Sequence, residues 1–314
     1  MRVPVELPAR FPDSVDAIGF GLNTVDYLAV VDQHPRLGSK TPISEFAVSP
    51  GGQAATAMVA VSRLGWTAKY IGRFGSDDNG LIGKKSLKDA GVDISDCQTI
   101  SGAKTAVSLI LVSEQSGERT VLWTMDEKVN MSSHDIQENM FSKGRLLLVD
   151  CHQTEASATA ARFAKKNGLP TVVDVEKVRP GIEKLLENID LLITAEEFPL
   201  EYTGKPGLGV ALKYLQQEFG AKMVCSTLGA QGSLALVGNK EIRTLGFSVD
   251  VADTTGAGDV FRGGFISGWL LGENRSLLED VLKYANAVAA LKCKTLGGRD
   301  GIPSRRDVEE FLRS

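Results

Sequence analysis

The chain has 314 residues, 43% hydrophobic and 24% charged, enough for one large or two smaller cores in an ordinary globular protein. Lysine and arginine number 35 against 39 acidic residues, a formal net charge of −4, so there is no basic field to hold nucleic acid or an anionic membrane, and small-molecule partners are expected. Cys97, Cys151, Cys225 and Cys293 are widely spaced and only three histidines are present, which suggests neither a zinc cage nor a disulfide framework and predicts reduced thiols in the cytoplasm.

Residues 1–14 carry three prolines and no periodicity, and predict a surface tail or strap with no signal-peptide core. A first strand is expected over Ala17–Phe20, running into G-L-N-T-V-D-Y-L-A-V-V. Gly19, Phe20 and Gly21 imitate a dinucleotide-binding turn, but Thr24 stands where the third glycine belongs and Tyr27–Val31 look β-like. Asp26, a lone carboxylate among apolar residues, either caps a turn or grips a ligand. Residues 32–50 alternate polar and apolar around Pro35, Gly38, Pro42 and Pro50, and predict short strands of a small sheet outside the main domain, a lid. S-P-G-G-Q-A-A-T then opens a helix of small residues ending at Gly65. Ala68–Gly80 gives a strand and loop, and Leu81–Ala90 a helix closed by Gly91. Thr105–Val112 and Thr120–Thr124 flank Q-S-G-E as a hairpin joining the lid, with Arg119 just past the turn. The lid strands therefore fall at about 25–50 and 104–125, inside one domain spanning 15–312.

From Leu146 the pattern becomes short apolar strands separated by helices: L-L-L-V, T-V-V-D-V, L-L-I-T and M-V-C-S-T. Such runs predict a parallel sheet with helices on both faces. Ligands collect beyond the carboxyl ends of such strands, where Asp150, Asp174, Glu176, Thr194 and Thr227 fall. T-L-G-A-Q-G-S-L-A-L places Gly229 and Gly232 in a turn between strands. Val251–Leu271 is the most informative stretch. Gly256, Ala257 and Gly258 leave the backbone open to close approach at the start of a helix whose Val260, Phe261, Phe265, Ile266, Trp269 and Leu270 fall at helical spacing. The unpaired amides of that first turn make an anion site, and Asp259 beside them is placed to take a hydroxyl proton while a phosphoryl group passes in line. As a simpler alternative, G-A-G-D is a strand-to-helix turn with an N-terminal acid. Gly272 ends this helix, Ser276–Glu279 is expected to cap the next, which carries Asn286, and Ser304 with Asp307 to cap the last.

The segment D-T-T-G-A-G-D-V-F, Asp253–Phe261, resembles the signature near the C-terminus of the ribokinase (PfkB-type) family of sugar and nucleoside kinases. Gly51 and Gly52 coincide with the family's first signature, and the strand order fits from about Ala17 to Leu312. The resemblance implies a ribokinase-like three-layer α/β/α fold, with a mostly parallel central sheet and a small β-sheet lid. It implies Asp259 as catalytic base with Gly256, Ala257 and Gly258 as anion hole. It further implies sugar contacts at Asp26, Gly51, Gly52, Gln53, Thr56 and Asp150, with Arg119 over the phosphates. Thr227, Gly229, Gly232, Thr255 and Asn286 are then nucleotide residues, and ATP with Mg²⁺ the cofactors. Relatives commonly carry asparagines where this chain has Gln53 and Thr56, so hydroxyl recognition differs in detail. They read N-x-x-E where this chain has A-E-E-F, which leaves Glu196 or Glu197 to serve the magnesium shell. A monovalent cation, potassium, is implied at Asp253 between D-T-T and K-T-L-G-G-R-D-G.

V-D-V-E-K-V-R-P and A-L-K-C-K-T-L-G-G-R-D-G-I look most like ketohexokinase and the sulfofructose kinases within the family, which favours a ketose. His152 stands where those relatives carry an arginine, so a neutral sugar is preferred. The resulting reading is an ATP-dependent sugar kinase acting on a primary hydroxyl, with pairing of two copies through the lid. Two alternatives stay open. One is a nucleoside kinase gripping its base with Phe46, Trp123 or Met125, and the other a non-catalytic sugar- or nucleotide-binding regulator.

Overall fold

In the computed structural model, which describes residues 1–314, the first residues form a strap docked on the body. Val3 and Leu7 are buried, Leu7 N–H donates to Asn274 Oδ1 at 2.7 Å, and Pro8 O accepts from the buried Arg145. The chain then runs through β1 (Ala17–Phe20), β2 (Thr24–Val31), β3 (Glu45–Gly51), α1 (Gln53–Arg63), β4 (Ala68–Ile71), β5 (Arg73–Gly75), α2 (Asp78–Asp89), β6 (Gln98–Ile100), β7 (Val107–Ser113) and β8 (Arg119–Thr124). After three short turns come β9 (Leu147–Asp150), α3 (Thr154–Lys166), β10 (Thr171–Val175), α4 (Ile182–Leu186), β11 (Leu191–Thr194), α5 (Glu197–Thr203), α6 (Leu208–Phe219) and β12 (Met223–Thr227). The chain ends with β13 (Ser233–Val237), β14 (Lys240–Thr244), α7 (Ala257–Leu271), α8 (Leu278–Lys292) and α9 (Arg305–Arg313).

Eight strands form one sheet in the order β14-β13-β12-β11-β10-β9-β1-β4, parallel from β12 to β4 with β13 and β14 antiparallel at one edge. The apolar runs of β9, β10 and β11 are buried on both faces because each face meets a helical layer. One core packs α1, α7 and α8 on one face, and the other packs α3, α4 and α6 on the opposite face. Each buried Val, Leu, Ile, Met or Phe among them contributes roughly 1.5–3 kcal/mol of transfer energy, and each alanine less. Glycine makes the tightest contacts possible: a Cβ on Gly263 would stand 2.5 Å from Ala60 Cβ on α1, and one on Gly264 3.0 Å from Ala285 Cα on α8. Side-chain economy thus squeezes α7 between two neighbours and fixes the position of its N-terminus.

A second sheet, β3-β2-β7-β8, stands apart from the first. On one of its faces Asp26, Ser108 and Trp123 share a cross-strand row, followed by Leu28 and Ile110, which pack with Leu296. The other face leaves Phe46, Val48, Leu109 and Leu122 exposed. Residues 32–44, expected to supply strands, form none: Pro35 and Pro42 lack the N–H a ladder needs, Gly38 turns the chain with φ of 77°, and only 45–51 pairs with β2. Ser276 does not cap α8. Leu277 is the preceding residue, and the N–H of Leu278 donates instead to Met1 O at 2.8 Å, so the strap supplies the acceptor that the sequence assigned to a serine. At α9 the Ser304–Asp307 capping box forms as expected. No helix is long and apolar enough to cross a membrane.

Candidate active site

Two glycine turns open toward the carboxyl ends of the central strands. At the first, a Cβ on Gly51 would overlap Asp26 Oδ2 and stand 2.6 Å from Thr24 Oγ1, so glycine is required for the Asp26 carboxylate to lie against the backbone. Gly52, with φ of 94°, precedes α1. Asp26 is buried and accepts from Thr24 Oγ1 at 3.0 Å. Burial raises its pKa, while hydrogen bonds from Thr24 and Ser108 and the charge of Arg299 oppose the rise. Gln53 Oε1 and Asn23 Oδ1, on either side of this turn, are buried acceptors with no partner in the protein. Orphaned acceptors beside a carboxylate suit a ligand that brings hydroxyl donors.

Two residues assigned to the sugar are otherwise engaged. Asp150 accepts the amides of Leu22 at 2.6 Å, Ala54 at 3.4 Å and His152 at 3.0 Å, and holds the Gly21–Leu22 loop to the start of α1. Thr56 is fully buried, and its hydroxyl accepts from Arg299 Nε at 3.2 Å. Arg299, which the sequence reading passed over, also donates to Gly51 O at 2.5 Å and Ser86 Oγ at 3.1 Å. Its pKa falls to about 10 because burial disfavours the charge. The guanidinium thus stands behind the first turn as its scaffold.

At the second turn Gly256 adopts φ of 74° and leads into α7. The N–H of Ala257 is spent on Thr254 O at 3.1 Å, whereas those of Gly256, Gly258 and Asp259 have no backbone partner, so within the Gly256–Gly258 set only the central amide is engaged. Asp259 is half-buried. Burial first, then the Asp174 carboxylate, push its carboxyl well above the ordinary range, with Arg262 opposing. Asp174, at the end of β10, is fully buried and raised to about 7 by burial, against the pull of Arg262. Arg262 Nη2 lies 2.9 Å from Asp174 Oδ1, and a Cβ on Gly258 would come within 2.6 Å of Arg262 Nη1. A cation amid apolar and small neighbours in F-R-G-G-F was the available sign that this arginine is buried with a partner.

A cavity of about 300 Å³ runs from this turn between the loop after β12, the segment after β14 and α8. Thr227, Gly229, Gly232 and Asn286 line it together with Phe247 and Ala290, and it ends at Ala257 and Gly258. Asn286 turns its Nδ2 to Ser233 Oγ, Thr244 O and Leu245 O, each at 3.3 Å, and so fixes the cavity wall. Thr254 lines the cavity, while Thr255 does not and gives its N–H to Asp253 Oδ1. From the small sheet Arg119 Nη1 reaches Thr254 Oγ1 at 2.7 Å, at the mouth of the same cavity. Glu196 and Glu197 are exposed before and at the start of α5, and no three potential ligating side chains cluster anywhere. Asp253 is approached by the ammonium of Lys292, also unforeseen, whose Nζ donates to Asp253 O at 3.0 Å.

The sequence profile of the pfkB family of carbohydrate kinases matches residues 16–305. The chain is 28% identical over 302 residues to ribokinase of Haemophilus influenzae, covering 93% of this chain and 96% of that one. It is 29% identical over 286 residues to ATP-dependent ribose-1-phosphate kinase of Halopiger xanaduensis, covering 90% and 93%. The solved structure of Arabidopsis thaliana ribokinase complexed with ribose and ATP superposes with a TM-score of 0.80 at 23% identity, over 96% of this chain and 99% of that one. The profile spans nearly the whole chain and the fold is ribokinase-like, so this protein is a sugar or nucleoside kinase that belongs to the pfkB family of carbohydrate kinases.

Proposed function

We propose that the chain transfers the γ-phosphoryl group of ATP to a primary hydroxyl of a small neutral sugar, with a ketose favoured and Asp259 as general base. One observation carries the reading: the apolar cavity ends at Gly258, whose free amide adjoins a carboxyl held well above the ordinary range. Burial and the neighbouring Asp174 carboxylate make that carboxyl a stronger proton acceptor than an ordinary carboxylate. The free amides of Gly258 and Asp259 meet the charge of the transferring group, and the apolar walls take the adenine. Magnesium, when bound, neutralises phosphate charge. Glu196 or Glu197, exposed before and at the start of α5, would supply a carboxylate to that ion, which needs only one or two besides phosphate and water.

Asp26, Gln53 and Asn23 are the groups offered to sugar hydroxyls. A neutral acceptor is supported by charge. Asp26 repels anions, the guanidinium of Arg299 is spent on Gly51, Thr56 and Ser86, and burial lowers the pKa of His152, so it brings little positive charge at neutral pH. The test is ADP release from ATP with magnesium against fructose, other ketoses, ribose, ribose 1-phosphate and adenosine, with Asp259→Asn alongside. One neutral sugar is expected to dominate, and the variant to lose roughly 10²–10⁴ in turnover. Undiminished turnover by Asp259→Asn with sugar bound would remove the base assignment. Preference for adenosine would select the nucleoside reading, which Trp123, 65% exposed on the face that carries Asp26, also suits.

A further inference from the structure

Lys292, the last residue of α8, is the one lysine in the buried set, with its side chain wholly withdrawn from solvent. Its Nζ donates to the main-chain carbonyl of Asp253 at 3.0 Å and stands 3.9 Å from Asp253 Oδ2. The same carboxylate accepts the amide of Thr255 at 2.8 Å on Oδ1 and that of Gly297 at 2.9 Å on Oδ2. The amides of Ala252 and Asp253 in turn donate to Cys293 O at 2.8 and 3.2 Å. Apart from the Thr255 bond, which lies within the turn, each of these contacts joins the turn before α7 to the end of α8 or the loop after it. A carbonyl and a carboxylate oxygen of one residue, aimed at one dry spot beside a helix C-terminus, form a hole for a single positive charge. Here the charge is supplied by the chain.

We propose that Lys292 is a tethered cation that takes the place of a monovalent metal ion at Asp253, so that the turn bearing the Gly258 and Asp259 amides is held without potassium. An ammonium group has about the size and the charge of a potassium ion. A metal ion on Asp253 O and Oδ2 would touch this ammonium, and two like charges in a dry interior repel strongly. The donor set therefore fits a metal ion only if Lys292 leaves. A tethered charge is present at any salt concentration, whereas an exchangeable ion is bound only in proportion to its supply.

The consequence for nucleotide binding rests on the kinase reading, and the consequence for folding does not. The full chain would be melted in potassium, sodium and tetramethylammonium chloride at equal ionic strength, and the affinity for ADP with magnesium measured by calorimetry in the same salts. The wild type is expected to show one melting temperature, and dissociation constants within about twofold, in all three. Lys292→Met, which keeps the length and removes the charge, is expected to melt lower and to recover selectively in potassium, with nucleotide affinity about tenfold better there than in tetramethylammonium. Lys292→Gln is the second variant should the first not fold. A wild type stabilised selectively by potassium would overturn the proposal, as would a folded Lys292 variant indifferent to every cation. A chain that bound no adenine nucleotide would count against the proposed function, while the melting series would still answer the cation question.

Discussion

Beyond the effect of its own burial, two buried side chains act in opposite directions on where the Asp259 carboxyl ionises. Asp174 raises the Asp259 carboxyl and Arg262 lowers it. As the proposed base, Asp259 is competent only when ionised, so kcat/KM is expected to fall on the acid side below its raised pKa. Asp174→Asn removes the like charge and is expected to move that acid limb to lower pH, while Arg262→Met removes the opposite charge and moves it higher. Limbs that stayed in place in both variants would show that the pair does not act on the base. Asp174 also leaves a mark on stability. Its carboxyl, near 4 in an unfolded chain and about 7 here, binds a proton more tightly in the folded state. Its favourable contribution is therefore full below about pH 4 and is lost as pH rises through about 7. Urea unfolding between about pH 5 and 8 should show a flatter pH dependence for Asp174→Asn than for the wild type.

At the scale of elements, α1 and α7 begin with the same device, a glycine of positive φ with a second glycine, one or two residues away, that lies against a carboxylate or a guanidinium. Those turns were legible because glycine runs followed by apolar residues at helical spacing have one local meaning, and β1, the parallel strands and α7 stand close to where the pattern put them. What stayed hidden depended on partners remote in sequence. Thr56 meets Arg299 across 243 residues and Asp150 meets Leu22 across 128, so no local rule could tell that these polar groups face the protein rather than the ligand. The cap of α8 likewise came from Met1. Arg299 concentrates this long-range dependence, since it fixes Gly51, Thr56 and Ser86 at once. Arg299→Met is expected to cost about 3 kcal/mol in stability, because three acceptors lose a charged donor in a dry site. In the same variant KM for the acceptor sugar should rise about tenfold with KM for ATP little changed, since only the first turn is loosened. Equal loss for both substrates would mean that the arginine merely holds the fold together.

The small sheet stands apart from the large one, and its face that carries Asp26, proposed to meet the acceptor, is only partly covered. Asp26 pairs with Ser108 and Ser108 with Trp123, so these three side chains project together toward the side on which Leu28 and Ile110 pack with Leu296. Asp26 is buried at 6% exposure, yet Trp123, two strands away in the same row, is 65% exposed. A sheet that stayed fixed would leave a large aromatic ring in water beside a ligand with which it could stack. A sheet that closes over the acceptor would bury the ring and expel the water that competes for the phosphoryl group. The chain has three tryptophans, of which Trp269 is already buried at 1% exposure, so a change in exposure at Trp123 can be read in fluorescence. Saturating the acceptor site, with ADP and magnesium present, is expected to shift emission to shorter wavelength and cut iodide quenching, and Trp123→Phe should abolish both responses. Trp123→Ala should weaken acceptor binding by about 1–2 kcal/mol, roughly tenfold, through the lost aromatic surface. Unchanged quenching in the wild type at saturating sugar would mean that the small sheet does not close, and exclusion of water would then have to come from the loops around Gly52 and Gly297 alone.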